Sequence, residues 1–143
     1  MRLMGLDYGA KTVGVALSDA LLLTAEPFET IFREEENKLR KTLRRIEEIA
    51  ATYEVSLIVI GLPLNMDDTD SAQTQKTREF SETVKRRTGL PVVFQDERLT
   101  TFAADEVLEE SGIPKKDRKQ AIDRIAAALI LKEYMDNHKE EYQ

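Results

Sequence analysis

The sequence predicts an α/β fold: a five-stranded mixed sheet, three antiparallel strands followed by two parallel ones, flanked by helices. Three observations carry this prediction. Val13, Val15 and Leu17 alternate with Thr12, Gly14, Ala16 and Ser18, the period of a strand, just after a short apolar run that Gly9 stops. From Leu39 onward the apolar residues recur at helical spacing instead. The runs "SLIVIGLP" and "LPVVFQDE" are then separated by a polar stretch long enough for a helix, the arrangement of parallel strands joined by a crossover.

Taken in order, Arg2 to Leu6 reads as the first strand, reaching its end at Asp7, and the brief link from Tyr8 to Lys11 makes it a hairpin with Thr12–Ser18. A third strand is expected between Glu26 and Phe32, and Pro27, which lacks a donor, sends it to a sheet edge. Leu39, Leu43, Ile46, Ala50 and Tyr53 line one face of an amphipathic helix of about four to five turns. The run from Lys38 to Arg45 reads as its solvated face. After the fourth strand, Ser71 is a good N-cap for a helix to about Arg87 that buries Phe80 and Val84. The fifth strand follows. A short helix from Thr101 to Ser111 is stopped by Gly112 and Pro114, and a long last helix runs from Lys115 to about His138. The first strand belongs beside the fourth and parallel to it, with ligands gathering beyond the carboxyl ends of the parallel strands.

The 143 residues, 41% of them hydrophobic, suit one domain with one core, 1–143. A net charge of −6 argues against holding nucleic acid by bulk positive charge, so a polyanion must meet a local basic patch or a metal ion. With no cysteine and one histidine, a thiolate or multi-histidine zinc site is excluded, and any metal must be held by oxygen. No run approaches the roughly 20 apolar residues of a membrane span, and the start lacks a signal-peptide pattern, which leads to the expectation of a cytoplasmic protein without membrane contact.

The predicted edge gathers carboxylates from distant parts of the chain: Asp7 after the first strand, Asp96 or Glu97 after the fifth, and Asp123 in the otherwise apolar "AIDRIAAALIL". Such groups raise one another's pKa unless a cation compensates them. Magnesium or manganese suits an all-oxygen site, and two such ions roughly 3.5 to 4 Å apart would activate water and stabilise the leaving oxygen of a phosphodiester. Ala126 and Ala127 are small enough for the last helix to press against the sheet. Lys119 and Lys116, four and seven residues before Asp123, share its face, and Arg98 and Arg124 add to a local basic patch for nucleic acid. Each acid also has a structural alternative: Asp7 could pin the hairpin turn, Asp96 could cap the turn after its strand, and Asp123 could pair with Lys119 or Arg124. Asp19, Asp67, Asp68 and Asp70 read as turn formers.

The blocks "GLDYGAKTVGVALSD", "IVIGLPLNMD", "DERLTT" and "KKDRKQAIDRIAAALIL" resemble the four signature blocks of the YqgF/RuvX family, small bacterial proteins of the RNase H-like superfamily related to the RuvC Holliday junction resolvase. The resemblance covers essentially the whole chain. It implies an RNase H-like fold, a magnesium- or manganese-dependent nuclease, and a role in maturing the 5′ end of pre-16S rRNA, in ribosome biogenesis; the family has also been described as Holliday junction resolvases acting on branched DNA. The family's acidic positions fall on Asp7, Glu97 and Asp123, with Asp96 matching the same motif as Glu97. Two departures stand out: "GLPLN" lacks the glutamate that RuvC-type enzymes place after the fourth strand, and the loop from Asn65 to Ser71 has no glycine. Two rival functions follow from the same fold, a phosphate-binding hairpin in "DYGAKTVGVA" like that of sugar kinases, and a non-catalytic RNA-binding factor that binds ribosomal particles. A monomer suits single-site RNA processing, whereas a weak homodimer would permit paired cuts in a junction.

Overall fold

A computed structural model describes residues 1–67, 69–97, 106–112 and 114–142, together with all side chains of these except 115–120 and 142. Five strands, β1 (Arg2–Tyr8), β2 (Thr12–Ser18), β3 (Ala25–Phe32), β4 (Val55–Leu62) and β5 (Val92–Asp96), form one sheet in the order β3-β2-β1-β4-β5. β1 and β2, and β2 and β3, are antiparallel, while β4 lies parallel to both β1 and β5. The expected order and directions are therefore present. Helix α1 (Arg40–Thr52) joins β3 to β4, α2 (Ala72–Thr88) joins β4 to β5, and α3 (Lys115–Asn137) and the short α4 (Lys139–Tyr142) close the chain. Of the helix expected over Thr101–Ser111, residues 106–110 are helical, Ser111 lies in the turn that follows, and 101–105 lie outside the described residues.

Strand alternation divides the core in two. Met4, Leu6 and Tyr8 of β1, with Val13, Val15, Ile58 and Ile60, face α1 and α2 and pack on Leu43, Ile46, Phe80 and Val84. Leu3 of β1, with Ala16, Leu57 and Val59, faces the other way and packs on Ala127, Ile130, Leu131 and Tyr134 of α3. A sheet covered on both faces needs apolar residues at nearly every position, which is why "SLIVIGLP" is continuous rather than alternating.

The local signals act as their chemistry dictates. Ser71 caps α2: its hydroxyl accepts from the Thr74 backbone N–H, and the Thr74 hydroxyl accepts from the Ser71 N–H in return. Pro27 sits on the outermost strand, opposite Ala16, where the register shifts by a bulge. The glycine-free loop after β4 is closed by aspartate: Asp67 accepts from both the N–H and the hydroxyl of Thr69, and Leu64 bridges to Asp70. Asp19 likewise accepts from the N–H groups of Leu23 and Thr24, whereas Asp70 pairs with Arg78 at 3.2 Å; Asp68 lies outside the described residues. His138, at the end of α3, is half-buried and stacks on Tyr134 with ring centroids 4.0 Å apart.

Candidate active site

Asp7 does not pin the hairpin turn. β1 continues through it to Tyr8, the turn is closed by the Gly9 N–H donating to the Thr12 carbonyl at 2.8 Å, and Asp7 stands in register with Gly14 of β2. Its parity is that of Leu3 and Gly5, so its carboxyl is on the face covered by α3. The same parity distinguishes Asp96, the last residue of β5, from Glu97 just after it. Val92 packs into the α1/α2 core and Val93 into the α3 core, so Gln95 and Glu97 follow Val93 while Asp96 points to the opposite face.

Three glycines form the floor on which the site is assembled. A side chain at Gly14 would collide with the backbone carbonyl of Asp123, and a Cβ there would also lie 2.8 Å from the Arg124 nitrogen. A Cβ at Gly61 of β4 would lie 2.8 Å from the carboxyl carbon of Glu97 and 2.5 Å from Ile130. One at Gly5 would lie 2.7 Å from the Ala127 carbonyl. Helix α3 therefore comes down on β1 and β2 more closely than any side chain there would allow. Ala126, Ala127 and Ala128, all buried, let its own surface do the same. The small residues of the helix are legible in the sequence; the three glycines read alone are only a strand-weakening signal, and their role as its docking surface exists only once the strands are adjacent.

Asp7, Glu97 and Asp123 are each half-buried, and Asp7 and Glu97 share a side-chain hydrogen bond. Two carboxyls can make such a bond only if one carries a proton. Burial, the Asp7 charge and the bond itself push Glu97 up to about 9, with Asp96 and Asp123 adding repulsion. Asp7 is raised to about 6, by burial foremost and by Asp123, against the lowering effect of the Glu97 hydrogen bond. At neutral pH the pair thus holds one proton. Among the described residues no three acidic or histidine side chains stand close enough to form a finished metal cage: Asp123 acts on the pair through its charge, with its backbone fixed above Gly14.

Of the expected basic residues, Arg124 donates to the Thr30 hydroxyl of β3 at 3.4 Å, which braces α3 across the sheet beside Gly14. Arg98 and the side chains of Lys116 and Lys119 lie outside what is described.

The chain matches the RuvX family, described as Holliday junction resolvase, over residues 1–137. A Lachnospira eligens protein named "Putative pre-16S rRNA nuclease" is 57% identical over 137 residues, covering 96% of this chain and 98% of its own. A Listeria monocytogenes protein of the same name is 46% identical over 95% of this chain and 98% of its own. Among solved structures, T. thermophilus RuvC in complex with Holliday junction substrate aligns with a TM-score of 0.59 at 16% identity, over 100% of this chain and 98% of that one. That likeness shows the fold, which is RNase H-like.

Proposed function

Because the chain belongs to the RuvX family, we propose that it is a nuclease that hydrolyses phosphodiester bonds at the Asp7–Glu97–Asp123 site, through one RNase H-like domain spanning 1–143, in cytoplasmic 5′-end processing of pre-16S rRNA. The observation that carries this reading is the convergence of Asp7, Glu97 and Asp123 on the face of the sheet covered by α3: the Glu97 carboxyl lies over Gly61 and the Asp123 backbone over Gly14, and burial and mutual repulsion raise both Asp7 and Glu97. A fold does not spend stability on such repulsion without a use for it.

The donor set fits a divalent cation. All candidate ligands are carboxylate oxygens, the preference of magnesium or manganese, and the charge they accumulate is of the sign a cation relieves. Asp7 and Glu97 would hold it, with Asp123 as the third carboxylate, and two ions would suit phosphodiester chemistry. When bound, the metal supplies charge neutralisation at the scissile phosphate and activation of the attacking water. The residues of the chain do the rest. Gly14 and Gly61 fix the heights of Asp123 and Glu97 over the sheet, the Asp7–Glu97 bond orients both carboxyls, and Arg124, Arg98, Lys116 and Lys119 are proposed to meet the flanking phosphates.

The test is cleavage of a labelled pre-16S rRNA 5′ fragment and of a four-way DNA junction by the parent chain and Asp7→Asn, in magnesium, manganese or EDTA. Metal-dependent RNA cleavage that disappears in a folded Asp7→Asn is expected. Symmetric nicking of the junction instead would move the substrate to branched DNA and call for a dimer. Binding without cutting, unchanged by EDTA and by Asp7→Asn, would replace the nuclease with an assembly factor that binds ribosomal RNA.

A further inference from the structure

We infer that the exposed start of α1, together with the β1–β2 turn beside it, is a second nucleic-acid surface that grips the phosphodiester backbone away from the cut; the inference rests on the nuclease reading for its substrate. β1 and β3 end at the same sheet edge, since Phe32 pairs with Thr12 just past the hairpin turn. The chain then enters α1 at that edge and leaves it for Val55, which pairs with Arg2 at the other. The first turns of α1 therefore stand at the edge where Asp7 and Glu97 lie, but on the opposite face of the sheet.

Cations collect there in a chain that is acidic as a whole. Arg40, Lys41 and Arg44 are exposed and make no ion pair or side-chain hydrogen bond among the described residues, and Lys11 in the turn is exposed too. Arg33, buried between the hairpin turn and the segment that leads into α1, donates to the Gly9 carbonyl at 2.5 Å and the Glu36 carbonyl at 3.0 Å and lies over the Tyr8 ring, 5.0 Å from its centroid. Its Nη1 has no partner. Of the neighbouring acids, Glu34 is exposed without an ion pair among the described residues, while the others are engaged: Glu35 by Lys38 at 3.5 Å, Glu36 by Lys76 at 2.8 Å, Glu29 by Arg45 at 2.7 Å, and Glu47 by Arg87 at 2.7 Å.

Helix physics does not account for this placement. α1 has no side-chain cap and no acid in its first turn, where Arg40 and Lys41 oppose the helix dipole. The cations of α2 behave in the ordinary way: Lys85, Arg86 and Arg87 occupy its last turn, where the dipole favours them. Cations set against their own helix and left unpaired suit a polyanion supplied from outside. The acidic site repels that same polyanion, so a grip beyond the cut is what the substrate needs.

The experiment compares binding of a labelled single-stranded RNA and a four-way DNA junction across a salt series, by fluorescence anisotropy, in an Asp7→Asn background that does not cut. The Arg40→Gln/Lys41→Gln/Arg44→Gln variant is set against Lys85→Gln/Arg86→Gln, which removes exposed charge from the far end of α2. Loss of three phosphate contacts should weaken RNA binding by about tenfold or more and lower the slope of log K against log salt by about 2, with the control near the parent. An unchanged affinity and slope in the triple variant, or an equal loss in the control, overturns the inference, provided melting temperatures agree. Cleavage by the Asp7 form separates the two readings. If it cuts while the triple variant binds normally, this surface alone falls; if it never cuts but the triple variant loses binding, the nuclease falls and the surface stands; if nothing binds, both fall.

Discussion

Replacing Glu97 by glutamine tests the strained carboxyl pair directly. In the metal-free protein Glu97 titrates near 9 instead of 4.5, so between those values the folded state holds a proton that the unfolded chain has released. A state that binds more protons loses stability as pH rises, and the protein should become less stable from about pH 4.5 upward until Glu97 ionises in the folded state. By pH 7.5 the distance travelled is about three units, at 1.36 kcal/mol each about 4 kcal/mol, and solvent at the half-open rim lowers this to about 2 to 3 kcal/mol. Glutamine keeps a donor for Asp7 and never ionises. Urea unfolding followed by circular dichroism in EDTA should therefore show Glu97→Gln gaining about 2 to 3 kcal/mol over the parent at pH 7.5 relative to pH 4.5. Asp7, raised to about 6, leaves a smaller decline between its ordinary pKa near 3.8 and pH 6 in both proteins. Parallel stability curves for the two proteins across this range would refute the shared proton. In the parent, added magnesium or manganese should restore stability increasingly as pH rises, because the cation competes with that proton.

Three further outcomes follow from the geometry. Gly14→Ala should cost about 3 kcal/mol or more, since its Cβ meets the rigid Asp123 backbone; thermal unfolding measures this, and the same variant should cut far more slowly because α3 and Asp123 must lift together. Asp96→Asn should leave cleavage within a few-fold of the parent, in contrast to Glu97→Gln, because Asp96 points to the other face of the sheet; a loss equal to that of Glu97→Gln would reverse the assignment of the two acids. Ser71→Ala removes the reciprocal cap of α2 and should cost about 1 kcal/mol in denaturant unfolding without altering cleavage.

The sequence by itself determined the elements and most of their order. The alternation of Thr12 to Ser18, the helical spacing from Leu39 to Tyr53 and the double-sided apolar run of β4 are local patterns, and local patterns reflect which face each residue buries. Pro27 placed β3 at an edge because a missing donor has only one tolerable location in a sheet. The approximate site was also within reach, since carboxylates that interrupt apolar segments must converge or remain unexplained. What only the tertiary structure decided is which atoms meet. Asp96 and Glu97 are equivalent in composition, and the choice between them is a matter of phase, set when β5 pairs Asp96 with Leu62 and Val93 turns toward α3. Gly5, Gly14 and Gly61 lie far apart in the chain, and their common purpose exists only once β1, β2 and β4 are adjacent beneath one helix. The Asp7–Glu97 contact is of the same kind: the sequence marks each as a carboxylate at the end of an apolar strand, and only the adjacency of β1, β4 and β5 beneath α3 brings the two together, where burial raises both.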